Sequence, residues 1–404
     1  MKTKHILYFY LSLLFGFCTT EFIDYSFSAV YITATLIYWV ALCGVDYICL
    51  KNGRPVLSTE KRIHSGKREV GGDIARVIAV ILVPVVHFFG LTYYYSTNFT
   101  ADMIFPTAIR WLGICAVPLF MIISGYFKSN AVISKKHYFG IIPLLCTHIF
   151  ISSLRIWVDW HFHGQSVDMQ YILDRLLYFK YGWYIRLYIG MLLIMPFFNI
   201  AYKNIGDKWK KEVFILTFIG LNSLGPLTFD VVPSSWLAFY VFGYYIIGCY
   251  LAEYRVKLNP IIGLFALAAV LAVISTATYF HCNGDVFDWS FIGYQANSGY
   301  SAMCTIFVSV IIMVLCLNID FNIKPINFAL KAVSLVSLEM YLFSQMFDGF
   351  IYKDIIENNV PFMDSFKNIV FLAGSSFLLA FIASWAKKAV FMVSIIFTRR
   401  NKNE

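Results

Sequence analysis

Charge is scarce in this chain. Asp, Glu, Lys and Arg make up 14% of its 404 residues, against about a quarter in a soluble domain. Hydrophobic residues account for 59%. That balance excludes a soluble globular protein and specifies a polytopic membrane protein. Paired cysteines are also lacking. The nine cysteines are scattered and none sits in a C-x-x-C pair, which removes zinc-ribbon and dithiol redox chemistry. Most lie inside apolar runs and read as small buried hydrophobes; only Cys282 falls in a loop. P-loop, G-x-S-x-G and H-E-x-x-H motifs are absent, as are tandem repeats and low-complexity tracts. The net charge of +9 sits in particular loops, where it signals topology rather than a nucleic-acid footprint.

What is present is a series of twelve apolar segments, near 6–20, 27–50, 73–95, 105–127, 138–158, 182–202, 213–229, 234–252, 259–281, 299–319, 326–351 and 366–397. Backbone groups in hydrocarbon must be satisfied within the chain, and nothing alternates with the period-two pattern of a barrel, so the segments predict helices. The fold class is all-α: a polytopic bundle of about twelve transmembrane helices. The 213–229 segment contains Asn222, Gly225 and Pro226 and is the weakest span. Met1 to Lys4 followed by apolar Ile6 to Phe17 could start a signal peptide, but no small-x-small cleavage site follows, so the first segment reads as an uncleaved span.

Lys and Arg set the orientation. With the N-terminus in the cytoplasm, the inside loops hold Lys51, Arg54, Lys61, Arg62, Lys67 and Arg68. They go on to hold Lys128, Lys135 and Lys136, then Lys203 to Lys211, Arg255 and Lys257, Lys324, and Arg399 to Lys402. Outside loops carry Asp102, Asp159, Asp168, Asp230, Asp285 and Asp288; Arg175, Lys180 and Lys353 are exceptions. Both termini are therefore expected in the cytoplasm.

Against that apolar background, the stretch from Arg68 to Tyr95 is distinctive. It carries Asp73 and Arg76 near one end and His87 deep inside. Polar groups in hydrocarbon are costly unless paired or facing a cavity, so they read as functional. Eleven residues separate Arg76 from His87, which puts both on one helical face roughly 16 Å apart along the axis, with Asp73 within about 40° of that face. Pro84, three residues before His87, predicts a kink beside the imidazole. A permanent cation at the rim suits an anionic ligand, and a titratable ring at depth suits general-base chemistry. The blander alternative is a headgroup-snorkelling Arg76 and an interhelical His87.

The spacing D-x-x-R-x10-H at the head of this span resembles the hallmark of the acyltransferase-3 family of polytopic membrane acyltransferases. Further stretches are similar to that family's segments in the expected order. They are Val117-Pro118-Leu119-Phe120 through Ser124-Gly125-Tyr126, Gly182-Trp183-Tyr184 through Met195-Pro196, Phe239 to Tyr245, and Ser337-Leu338-Glu339-Met340-Tyr341-Leu342. The resemblance covers residues 68–397. It implies a ten-helix acyltransferase core there, preceded by two N-terminal spans and a basic cytoplasmic loop over 1–67 and followed by a cytoplasmic tail over 398–404. Two departures stand out: Ser344 occupies a position where a histidine is common, and the basic R-x-x-R of many members is reduced to Lys135-Lys136.

The resemblance implies transfer of an acyl group, usually acetyl, from cytoplasmic acyl-CoA to a hydroxyl, usually on a surface glycan or its lipid-linked precursor. No resident cofactor is implied, and the partners are membrane lipids, the acyl-CoA and the glycan. A bacterial cytoplasmic membrane is the expected location. His87 would be the base or a transient acyl carrier. Glu339, placed about 20 Å into its span by helical rise, would either orient His87 or pair with Arg155 or Arg186. Asp73, Arg76, Lys135 and Lys136 would meet the donor. Ser124, Tyr126, Arg155, Trp183, Tyr184, Arg186 and Tyr341 would line the cleft or meet the acceptor. Trp157, Trp160, Trp183, Trp236 and Trp289 read first as an interfacial belt and second as sugar-stacking platforms. His161 and His163 with Asp159 and Asp168 form an outer-loop cluster that could hold a metal, but neither the spacing nor a further ligand is compelling. The competing function is a glycan or lipid transporter, for which an inverted repeat would be the signature.

Overall fold

The structure is a computed structural model that describes residue 12 and residues 29–51, 57–61, 69–223, 239–283 and 299–400. It is almost wholly helical. The helices are α1 (Ala29–Lys51), α2 (Val70–Leu91), α3 (Ile104–Ile114), α4 (Ala116–Lys128), α5 (Lys135–Phe139), α6 (Ile141–Phe162), α7 (Met169–Leu176), α8 (Trp183–Asn204) and α9 (Lys208–Ser223). They continue with α10 (Tyr240–Glu253), α11 (Pro260–Cys282), α12 (Met303–Leu317), α13 (Lys324–Ser334), α14 (Ser337–Ile351), α15 (Lys353–Glu357), α16 (Phe362–Phe366) and α17 (Ile369–Arg400).

Among the described residues, six helices are long and apolar enough to cross a membrane, or seven if a bent pair is one span. The chain is thus an all-α polytopic membrane protein. Apart from Ser12, the first expected span, 6–20, lies outside the described residues, as does the end of the seventh. Other expected spans are short helices. At 1.5 Å per residue, α10 and α12, with 14 and 15 residues, reach about 21–23 Å, less than the roughly 30 Å of a bilayer core. Helix α2 runs unbroken through Pro84.

One expected span is broken. Helices α13 and α14 meet at 66°, so the 326–351 run is not one rod. Glu339 is therefore the third residue of a new helix, and the depth of about 20 Å reckoned along a straight axis does not hold. The break exposes carbonyls at the end of α13, and one of them is satisfied by a cation: Lys388 Nζ donates to Leu335 O at 2.7 Å. Two strands also form where only loops were expected. Leu57–Lys61 (β1) pairs antiparallel with Tyr254–Leu258 (β2), in the register Thr59 to Val256.

The chain divides into two compact units. The first comprises Met1–Ala75, Asn98–Asn130 and Phe198–Phe321. Lipid offers little hydrophobic drive for helices to associate, so small residues that admit close backbone approach matter. Here α4 packs on α10 through Gly125 and Gly248. A Cβ at Gly125 would lie 1.9 Å from Tyr245 O, and one at Gly248 would lie 2.1 Å from Ile122 O. Buried charges are paired: Lys211 holds Glu253 at 2.7 Å, and Tyr250 donates to Glu212 at 2.6 Å.

The second unit comprises Arg76–Thr97, Ala131–Phe197 and Asn322–Glu404. Helix α14 packs on α17 and on α6. Phe88, Phe89, Tyr94, Tyr352 and Phe362 form an aromatic cluster at tilted and edge-on angles. Helix α7 caps its own N-terminus, with Asp168 accepting from Tyr171 N at 2.7 Å. The segment after α7 is pinned by buried His148, which holds Leu176 O through Nε2 and stacks on Phe179 at 4.2 Å.

Candidate active site

His87 lies on α2, four residues before its end. Its Nδ1 is 2.7 Å from Asp348 Oδ2 on α14. The other carboxylate oxygen accepts from Ser376 on α17 at 2.7 Å. Asp348 is 1% exposed and Ser376 fully buried, whereas 20% of the His87 side chain is exposed. A buried carboxylate is costly unless its oxygens are satisfied, and Asp348 has a partner on each. With Nδ1–H committed to Asp348, Nε2 is the nitrogen whose lone pair can accept a proton. An acid–imidazole pair of this kind fixes the tautomer and ring orientation and stabilises the imidazolium that forms.

Arg76, one face of α2 below His87, donates through NH1 to Ser334 at 2.6 Å. Ser334 is the last residue of α13, so the arginine is fastened to the broken span at its bend. Lys387 on α17 lies beside the same bend. Its Nζ is 3.2 Å from Glu339 Oε1 and donates to Thr147 Oγ1 at 2.9 Å. The partner of Glu339 is thus Lys387, not Arg155 or Arg186, and the residue holding His87 is Asp348.

Arg155 projects from α6 toward α14. Its Nε donates to Asp159 at 2.8 Å and its NH1 to Gln345 O at 2.8 Å and Met346 O at 3.2 Å. Tyr184 and Tyr341 bring their rings to 5.2 Å, edge to face, while Trp183 packs against Tyr184. Arg186, Lys135 and Lys136 are exposed. In the other unit, Asp73 is buried on α2. Ser124 donates to Phe120 O of its own helix at 2.7 Å, and Tyr126 donates to Glu69. Trp157 stacks on His161, and His163 meets Phe350 at a tilt of 42°; Trp236 and Trp289 lie outside the described residues.

Asp348, Ser376 and Lys387 were missed in the sequence. A signal for two of them was there: Asp348 is a second carboxylate in the apolar run that holds Glu339, and Lys387 is a cation inside the last one. Each should have been read as needing a partner. Ser376 carried no such signal.

No curated protein and no solved structure matches the chain. A family model described as an acyltransferase domain matches residues 70–386. That stretch takes in α2 with Arg76 and His87, α14 with Asp348 and α17 with Ser376, and it spans well over half of the sequence, so the chain belongs to the acyltransferase-3 family of membrane acyltransferases.

Proposed function

We propose that the protein transfers an acyl group, in the simplest case acetyl, from acyl-CoA to a hydroxyl of a surface glycan or its lipid-linked precursor. The work is done in a bacterial cytoplasmic membrane with both termini on the cytoplasmic side. The observation that carries this reading is the His87–Asp348–Ser376 chain. It presents one imidazole nitrogen in a partly open position and ties the other to a buried carboxylate. In the reaction, Nε2 takes the proton of the acceptor hydroxyl as that oxygen attacks the thioester carbonyl. The carbon–sulfur bond then breaks, and the CoA thiolate leaves with the proton held by the imidazolium. Arg76, on the same helix and about three turns away, would serve the donor's phosphates, with exposed Lys135 and Lys136 as further point charges. The cytoplasmic face for the donor rests on the Lys and Arg distribution.

The test is purified protein with labelled acetyl-CoA. Release of CoA or labelling of an added glycan supports the reading, and His87→Ala should cut turnover by at least about 100-fold while inserting normally. Binding of acetyl-CoA without turnover, or full turnover by His87→Ala, would overturn it; the first result would favour a transporter.

A further inference from the structure

A line of polar contacts runs through the second unit to the turn of α14 that carries Asp348. It starts on α7, where Arg175 NH2 donates to the Tyr171 hydroxyl at 3.1 Å. Tyr171 donates to Asp159 Oδ2 at 2.5 Å. Burial, followed by the bond to Asp159, raises the Tyr171 pKa and keeps its proton on the donor. Asp159 is 2% exposed and pairs with Arg155 Nε. The Arg155 guanidinium then reaches the carbonyls of Gln345 and Met346, in the same helical turn as Asp348. The guanidinium lies close over that turn: a Cβ at Gly349 would lie 3.4 and 3.5 Å from its two terminal nitrogens.

We propose that Arg155 is a positioning residue for acyl transfer: braced by Asp159 and Tyr171, it fixes the turn of α14 that presents Asp348, and through Asp348 it sets the His87 ring. This deepens the proposed function and rests on His87 being the base. Two features separate this role from acceptor binding. The guanidinium is engaged through Nε and NH1 with partners inside the protein, and its side chain is only 15% exposed. Planar fork geometry also makes it sensitive to conservative change, because lysine supplies the charge but not two oriented donors.

The inference makes Arg155 act only through Asp348, which a double-mutant cycle can test. Turnover of labelled acetyl-CoA is measured for Arg155→Gln, Asp348→Asn and the double variant. Arg155→Gln should lower kcat by about 10- to 100-fold, the scale on which the outer partners that orient metal-ligating side chains act. The donor KM should stay within about twofold. Added to Asp348→Asn, the same change should cost less than about twofold, because there is no longer a carboxylate to hold. Tyr171→Phe removes one hydroxyl at the outer end of the line. It should give a smaller kcat loss with the same non-additivity, and it serves if Arg155→Gln fails to insert. Losses that multiply in the double variants, an unchanged kcat, or a rise in KM alone would overturn the inference. Full activity of His87→Ala would instead remove the catalytic reading itself, whatever the Arg155 variants do.

Discussion

A histidine in an apolar helix acquires chemistry from what holds it, and for His87 that is Asp348. Unpaired, the ring would be a polar group seeking any hydrogen bond; tied at 2.7 Å to a carboxylate that Ser376 also bonds, it has one orientation and one free nitrogen. Glu339 and Lys387 show the same economy of charge with a different expected outcome. Their side chains are 14% and 8% exposed, and removing either leaves the other charge buried alone, at a cost of about 3–5 kcal/mol. Glu339→Gln and Lys387→Met should each lower thermal stability in detergent more than the double variant does, and the double variant should keep acyl transfer. Loss of transfer in a double variant that melts normally would make the pair part of the chemistry. The sequence showed His87 and Arg76 because each is an isolated polar residue at a helical interval. The groups that hold His87 come from α14 and α17, some 260 and 290 residues later than His87, and the partner of Arg76 comes from the end of α13. Nothing local at Asp348 or Ser376 encodes which helix they will meet, so the three-residue chain was legible only at its first member.

Among the elements, the bend between α13 and α14 was the least legible. Its junction reads Ser334-Leu335-Val336-Ser337, with neither proline nor glycine, and the apolar run passes over it without interruption. The break depends on tertiary partners, Arg76 on Ser334 and Lys388 on the Leu335 carbonyl, which a hydropathy reading does not contain. By contrast, long apolar runs such as α2, α8 and α11 fell close to where their hydropathy put them, because span length is set by the bilayer. The crossing of α4 and α10 has its own prediction. An added methyl at Gly125 would collide with the Tyr245 carbonyl, a backbone atom that cannot rotate away. Gly125→Ala should therefore cost about 1–3 kcal/mol or more, read as a lowered melting temperature. An unchanged melting curve would show that the two helices do not approach as described.

For the whole molecule, the ladder between β1 and β2 constrains topology. Two segments that hydrogen-bond must emerge on one side of the membrane, so the loops carrying Lys61 and Arg255 share a face, as their common positive charge required. Cysteines at Ser58 and Lys257, which are cross-strand partners, should be joined by a short bis-maleimide in intact membranes. An impermeant thiol reagent should reach both from the same side. Labelling from opposite sides would break the topology. Strand propensity in Leu57–Lys61 is unremarkable, and the ladder was invisible to a search for period-two alternation because each strand is only five residues long. The ladder also has a consequence for biosynthesis. Its two halves are separated by about 200 residues, so at ribosomal speeds of about 5–20 residues per second the first half leaves the exit tunnel some 10–40 s before its mate exists. For that interval the nascent chain carries an open strand edge beside the membrane, a vulnerable stage of synthesis that ends only when α10 and the strand that follows it have been made.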